Sequence, residues 1–159
     1  MKHLVVIRHA KAEHPGPGED DSSRRLTEKG VAAAYRLGRL LAEKKLLPDL
    51  VLVSPAIRAK ETAEQILSSV TGDFDMETMP LLYSGDERDG FEALKNLPDS
   101  KHRVFLIGHN PTFTDLINLL CGPAVENMRT GSAGHVVFPV ETWAEMVPGE
   151  ATLDVYLES

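Results

Sequence analysis

The sequence predicts an α/β fold, a three-layer sandwich whose mainly parallel central sheet is flanked by helices. Two observations predict it. Uninterrupted apolar runs, the mark of strands buried on both faces, recur at residues 3–7 (HLVVI), 49–54 (DLVLVS) and 103–108 (RVFLIG). Segments with helical apolar spacing fill the intervals, and strands alternating with helices build parallel sheets through crossover units.

The first run stops abruptly at Arg8 and His9 and opens into EHPGPGEDDSSRR, residues 13–25. That stretch is polar, acidic and rich in Pro and Gly, and reads as a mobile loop or flap; too little chain precedes it for a domain linker. Residues 26–46 give a helix with Thr27 as N-cap and Ala33, Leu37, Leu40 and Leu41 on one face. Residues 55–69 repeat apolar positions at Ile57, Ala63, Ile66 and Leu67. DERDGFEALKNL, residues 86–97, sets Phe91, Leu94 and Leu97 behind an Asp86 cap, and residues 111–122 run from Pro111 to a stop at Gly122. HVVFPV (135–140) and TLDVYLE (152–158) read as later, more exposed strands, with Pro139 suited to an edge or a strand end. Trp143 and Tyr156 read as packing for them, and His3, His102 and His135 as strand-end or surface residues.

A chain of 159 residues, 42% apolar and 26% charged, matches one ordinary domain spanning 1–159. With 24 acidic against 17 basic residues the net charge is −7, which argues against a nucleic-acid partner. A local convergence of cations can still hold an anion on such a protein, because near charges outweigh the distant field. The single Cys121 excludes an internal disulfide and a Cys-cluster metal site, and reads as buried packing. The N-terminus lacks a signal-peptide pattern and no apolar run approaches the ~20 residues that span a bilayer. The expectation is a cytoplasmic monomer with no membrane partner.

Two strand-to-helix units share a local design. In VLVSPAIRA, Ser54 stands as N-cap, Pro55 at the first helical position and Arg58 one turn in. In FLIGHNPTF, Asn110 is the cap, Pro111 follows, and His109 ends the strand. Both helices then start at the carboxyl edge of the sheet, where their free N–H groups favour an anion and where α/β proteins bind ligands. Arg8 and His9 end the first strand at that same edge. Guanidinium forks match phosphate oxygens, and a neutral imidazole can attack phosphorus. The residues predict a phosphate pocket with His9 placed to react. Singly, Arg8 and Arg58 could be structural ion pairs and His109 scaffolding; their convergence on one edge carries the reading.

The same residues resemble a known family. RHAKA resembles the Arg-His-Gly type motif of the histidine phosphatase (phosphoglycerate mutase-like) superfamily. SRRLTEKG (23–30), VLVSPAIRAKETA (51–63) and LIGHNPTFTDL (106–116) are similar, in order, to the signatures of its SixA-type phosphohistidine phosphatase branch. The resemblance implies the phosphoglycerate mutase-like fold and a nucleophilic His9 that becomes phosphorylated. It implies that Arg8, Arg58 and His109 bind the phosphoryl oxygens, with no metal and no cofactor. Ala10 stands where the superfamily often has Gly. Arg25 replaces the Pro of an Arg-Pro-Leu run and leaves Arg24 matching its Arg, either touching substrate from the flap or solvated beside EDD. Lys11 either adds charge to the pocket or belongs to a solvated loop.

No recognisable motif supplies a general acid; Glu77, Asp86 and Glu87 are the available carboxylates, each also suited to surface or capping roles. Phosphohistidine loses an imidazole with a reference pKa of ~6.5, and so needs far less acid catalysis than a sugar phosphate. A pocket without a clear acid therefore suits phosphohistidine in proteins, and the family implies histidine-phosphotransfer or phosphocarrier partners. The alternatives are a phosphatase for small phosphate esters, a phospho-ligand-binding module without turnover, and a metal site on His9, His14 and His109 that no ligand spacing supports.

Overall fold

Along the first strand, β1 (Lys2–Arg8), Leu4 and Val6 enter one core while Val5 and Ile7 enter the other, as the two-residue period of a strand requires. The computed structural model describes residues 1–159, and its other strands are β2 (Leu50–Val53), β3 (Asp75–Thr78), β4 (Arg103–Gly108), β5 (Ser132–Phe138) and β6 (Thr152–Glu158). They form one sheet in the order β3-β2-β4-β1-β5-β6. The first four in that order are mutually parallel; β5 and β6 add an antiparallel hairpin.

Helices cover both faces. On one, α1 (Glu28–Glu43) and α2 (Ile57–Leu67) bring Leu37, Leu41, Ala63 and Ile66 onto Val5, Ile7, Val51 and Phe105. On the other, α4 (Glu87–Lys95) and α5 (Thr112–Cys121) bring Phe91, Leu94, Phe113 and Leu116 onto Leu4, Val6, Leu52 and Leu106. The fold is the three-layer sandwich with a mainly parallel central sheet that the sequence predicts.

Register positions the site. Arg8 pairs with Gly108 and Val53 with Ile107, so β1, β4 and β2 end level with one another. His9 N–H donates to Gly108 O at 2.9 Å and Ser54 N–H to Ile107 O at 3.0 Å. Ser54, His9 and His109 therefore stand side by side at the carboxyl edge.

Several expectations need correction. Pro55 precedes α2, whose N-cap is Ala56, because the Ser54 hydroxyl turns back to accept Ala56 N–H at 3.2 Å. Pro111 is the N-cap of α5, while Asn110, one residue earlier, accepts Thr114 N–H at 3.1 Å. The buried face of α1 is Gly30, Ala34, Leu37, Gly38 and Leu41; Ala33 and Leu40 stand to its sides. Strand β5 is buried rather than exposed, because β6 covers its outer edge, and it ends at Phe138, just before Pro139. The edge strand β3 and the short helix α3 (Leu81–Ser84) were not foreseen; β3 reads DMET, all four residues exposed, with no apolar signal to find. His135 is buried rather than superficial, stacked on His3 with ring centroids 5.2 Å apart.

Residues 122–159 do more than extend the sheet. Gly122, at φ 78°, takes the left-handed conformation that ends α5 and that glycine adopts without steric cost. Trp143 is fully buried beside Phe138 and donates its indole N–H to Lys101 O at 2.8 Å. Gly131 N–H donates to the carbonyls of both Arg8 and His9. The C-terminal third thus holds the end of β1 from the side opposite β4.

Helices α1 and α2 touch through backbone at Gly38, where an added Cβ would stand 2.6 Å from Ile66 O and 2.7 Å from Ile66 Cα. Backbone cannot rotate away as a side chain can, so Gly38→Ala pushes α1 off α2. Despite alanine's better helix propensity, the expected net loss is about 2 kcal/mol, read as a lower urea midpoint. An unchanged midpoint would show that the helices have room to spare.

Candidate active site

His9 is only 8% exposed, and its ring is fixed by chemistry at both nitrogens. Nδ1 lies 2.7 Å from Ala10 O, a carbonyl that can only accept, so Nδ1 carries the proton. Nε2 lies 3.3 Å from Arg58 Nε, which can only donate, so Nε2 presents a lone pair. Burial, followed by the charges of Arg58, Arg8 and Arg24, pushes the His9 pKa from 6.5 down to about 4; the Ala10 bond opposes this without reversing it. The imidazole is neutral at physiological pH, with the lone pair of Nε2 facing a guanidinium.

Arg58 is placed by the first turn of α2 and is 6% exposed. Arg8 donates from Nη1 to Met128 O at 2.8 Å, and its buried Nε has no partner. His109 continues from β4, its ring centroid 5.2 Å from that of His9. Its Nε2 is 2.7 Å from Ser54 Oγ. Ser54 Oγ also accepts Ala56 N–H, and its hydroxyl can either donate to His109 Nε2 or accept from it. The other ring nitrogen of His109, Nδ1, is buried and unpartnered as well. Burial, with His9 and Arg58 behind it, pushes the His109 pKa down to about 3. Arg8 Nε and His109 Nδ1 are thus two buried polar atoms without partners, each costing about 1–3 kcal/mol when left unmade, and an oxyanion would accept from the guanidinium N–H.

Arg24 joins the cluster indirectly. Its Nη1 donates to Asp21 Oδ1 at 3.1 Å and its Nε to Glu13 O at 2.7 Å. Asp21 lies in a short 3₁₀ turn, Asp21–Ser23, inside the loop read as a flap; the loop's ends are pinned by a bridge between Ala12 and Leu26. The Asp21 carboxylate also accepts Arg58 Nη2 at 2.9 Å and Tyr83 O–H at 2.7 Å. Tyr83, with Arg24 and Arg58 added, holds its pKa well below the ordinary carboxylate range. Lys11 is exposed, and its carbonyl accepts Thr27 N–H. His14, Arg24 and Arg25 line a polar cleft of about 420 Å³ on the flap side, beside Ile57.

Of the three carboxylates considered as acids, Asp86 caps α4 by accepting Arg88 and Asp89 N–H, Glu77 is exposed on edge strand β3, and Glu87 is half-buried in the first turn of α4. Sequence reasoning missed Ser54 as the partner of His109, and missed Asp21 and Tyr83 altogether. The alignment of β2 with β4 could have suggested the first; nothing local in sequence pairs residue 21 with residue 83.

Fold and site together are those of a phosphate-handling α/β enzyme with paired histidines at the sheet edge. The histidine phosphatase superfamily (branch 1) model matches residues 4–83, about half of the chain. The chain belongs to that superfamily, and phosphatase chemistry is the activity class that this membership brings. An uncharacterised chloroplastic protein of Arabidopsis thaliana is 27% identical over 91% of this chain and 70% of its own. The mitochondrial serine/threonine-protein phosphatase Pgam5 of Drosophila ananassae is 36% identical over 45% of this chain, which spans only 24% of that protein. Among solved structures, the protein histidine phosphatase SixA complexed with tungstate is 25% identical over 98% of this chain and 96% of its own, with a TM-score of 0.82. SixA from Agrobacterium tumefaciens, 24% identical over 99% of both chains, shares the fold with a TM-score of 0.84. No helix here is long and apolar enough to cross a membrane.

The depressed His9 pKa links the site to stability. As pH falls below 6.5, the unfolded chain takes up a proton at His9 that the folded chain refuses until about 4. Unfolding is therefore favoured on acidification, by about 3 kcal/mol at the lower limit for this group alone. Urea unfolding from about pH 7 down to about pH 4 should show this loss in the wild type. In His9→Asn that portion of the slope disappears, and an unaltered slope would place the proton elsewhere.

Proposed function

We propose that this protein hydrolyses phosphohistidine in proteins through a covalent phospho-His9 intermediate. The observation that carries the proposal is the defined His9 tautomer: a neutral ring, proton held at Nδ1 by Ala10 O, lone pair at Nε2. In the first step Nε2 bonds to phosphorus as the substrate's P–N bond breaks, and the departing imidazole takes a proton. In the second, water attacks phosphorus, the P–Nε2 bond breaks, and orthophosphate leaves with the neutral ring restored. Arg8, Arg58 and His109 hold the phosphoryl oxygens and meet the charge that builds on them. Guanidinium groups supply the positive charge, so the reading requires no metal. Arg24 adds a further positive charge close enough to depress the His9 pKa.

The leaving group supports the substrate class. The carboxylate that meets the cluster is Asp21, and Tyr83, Arg24 and Arg58 keep it ionised. An ionised carboxylate cannot protonate a departing alkoxide, whereas an imidazole leaves with little help. The tungstate bound to a SixA of this fold is a tetrahedral oxyanion like phosphate, in keeping with the oxyanion role given to the pocket. Phosphorylated histidine-phosphotransfer or phosphocarrier proteins are the partners this reading implies.

A rapid-quench experiment tests it, with labelled phosphohistidine protein and a sugar phosphate, whose leaving group is an alkoxide, as alternative donors. Acid-labile label should form on wild type and not on His9→Ala, and faster from the phosphohistidine donor. Equal or faster labelling from the ester would keep the covalent step and overturn the substrate class. Turnover by His9→Ala would overturn the mechanism.

A further inference from the structure

Asp21 sits in an acidic run, EDD, that reads as solvated, yet three side chains from three parts of the chain converge on its carboxylate. Arg58 is the one that matters most. Its Nη2 donates to Asp21 Oδ2 at 2.9 Å and its Nη1 to Asp21 O at 2.8 Å, while Nε alone faces His9. Both outer nitrogens of the guanidinium donate an N–H to this one residue, each keeping a second N–H. Arg24 Nη1 is engaged in the same way through Oδ1. The Asp21 side chain is half exposed and stands in a short turn, so it can move without unpacking a core.

We propose that Asp21 sets the affinity of this site for phosphate: its carboxylate engages Arg58 Nη2 and Arg24 Nη1, and its charge opposes the dianion. The inference rests on the phosphatase reading above and adds to it a residue that governs product release. Asp21 does not serve as the acid, because its three donors all stabilise the charged form. Tyr83 O–H, 2.7 Å from Oδ2, keeps the carboxylate over Arg58. A dianion arriving on the cluster brings twice the charge of the carboxylate and displaces it. When the phosphoryl group has become orthophosphate, the tethered carboxylate returns and competes for the same donors.

The test is calorimetric titration of the full chain with orthophosphate. Asp21→Asn keeps the size of the side chain and the backbone carbonyl that holds Arg58 Nη1, and removes only the charge. It should bind orthophosphate about tenfold tighter than wild type, the scale of one unit charge opposing a dianion across a few ångströms of partly screened medium. Asp21→Ser, which removes the carboxylate outright, should tighten binding in the same direction and decides the matter if the asparagine variant does not fold. Damage to the loop would weaken binding, so tightening cannot come from it. Unchanged or weaker binding in the folded variants, with Arg58→Ala abolishing wild-type affinity, would overturn this role and leave the phosphatase reading standing. A wild type that ignores orthophosphate, or an Arg58→Ala that binds as well as wild type, would overturn the reading itself and this role with it.

Discussion

A buried imidazole beside three guanidinium groups is forced to stay neutral, and most of this structure serves to keep His9 in that condition. Burial makes its protonated form costly, and the charges of Arg58, Arg8 and Arg24 add to the cost. Neutrality alone would leave the ring free to turn. The Ala10 carbonyl removes that freedom by accepting from Nδ1, which aims the lone pair of Nε2 at Arg58. One short hydrogen bond therefore decides which nitrogen can react.

Holding that arrangement takes both halves of the molecule. The register of β1 on β4 brings His9 level with His109, and β2 brings Ser54 to hold the second ring. Helix α2, packed against α1 at Gly38, sets Arg58. From the other direction, Met128 O holds Arg8, and Gly131 N–H ties the carbonyls at the end of β1. Two polar atoms, Arg8 Nε and His109 Nδ1, remain buried without partners. Their desolvation is a cost carried by the folded protein, and an oxyanion accepting from Arg8 would recover part of it. A chain of net charge −7 thus gathers three guanidinium groups, Arg8, Arg24 and Arg58, at one edge, where near charges outweigh a dispersed negative surface.

Much of the site was legible in sequence because strand ends and helix starts are local events. The apolar runs that end at Arg8-His9 and at Gly108-His109 mark two strand termini, and Ser54-Pro55 marks a third. Since crossover helices force parallel strands to end at one edge, the meeting of Arg8, His9, Arg58 and His109 follows from topology. Errors were of a local kind too. Pro55 and Pro111 suggested first helical positions, but side-chain bonds from Ser54 and Asn110 reset where α2 and α5 begin. Strand β3 was invisible because an exposed edge of four residues needs no apolar pattern.

By itself the sequence determined the layered α/β architecture, the carboxyl edge of the sheet and the residues that gather there. Those properties depend on periodicity and on the chemistry of single residues, both readable along the chain. Only the tertiary structure decided the state of those residues. It assigned the His9 proton to Nδ1, joined Ser54 to His109, and laid Asp21 from the flap across Arg58, Arg24 and Tyr83. Each of these depends on distances between residues far apart in the chain, 62 positions in the case of Asp21 and Tyr83. Such distances are set by how helices and loops pack, and no local pattern encodes them.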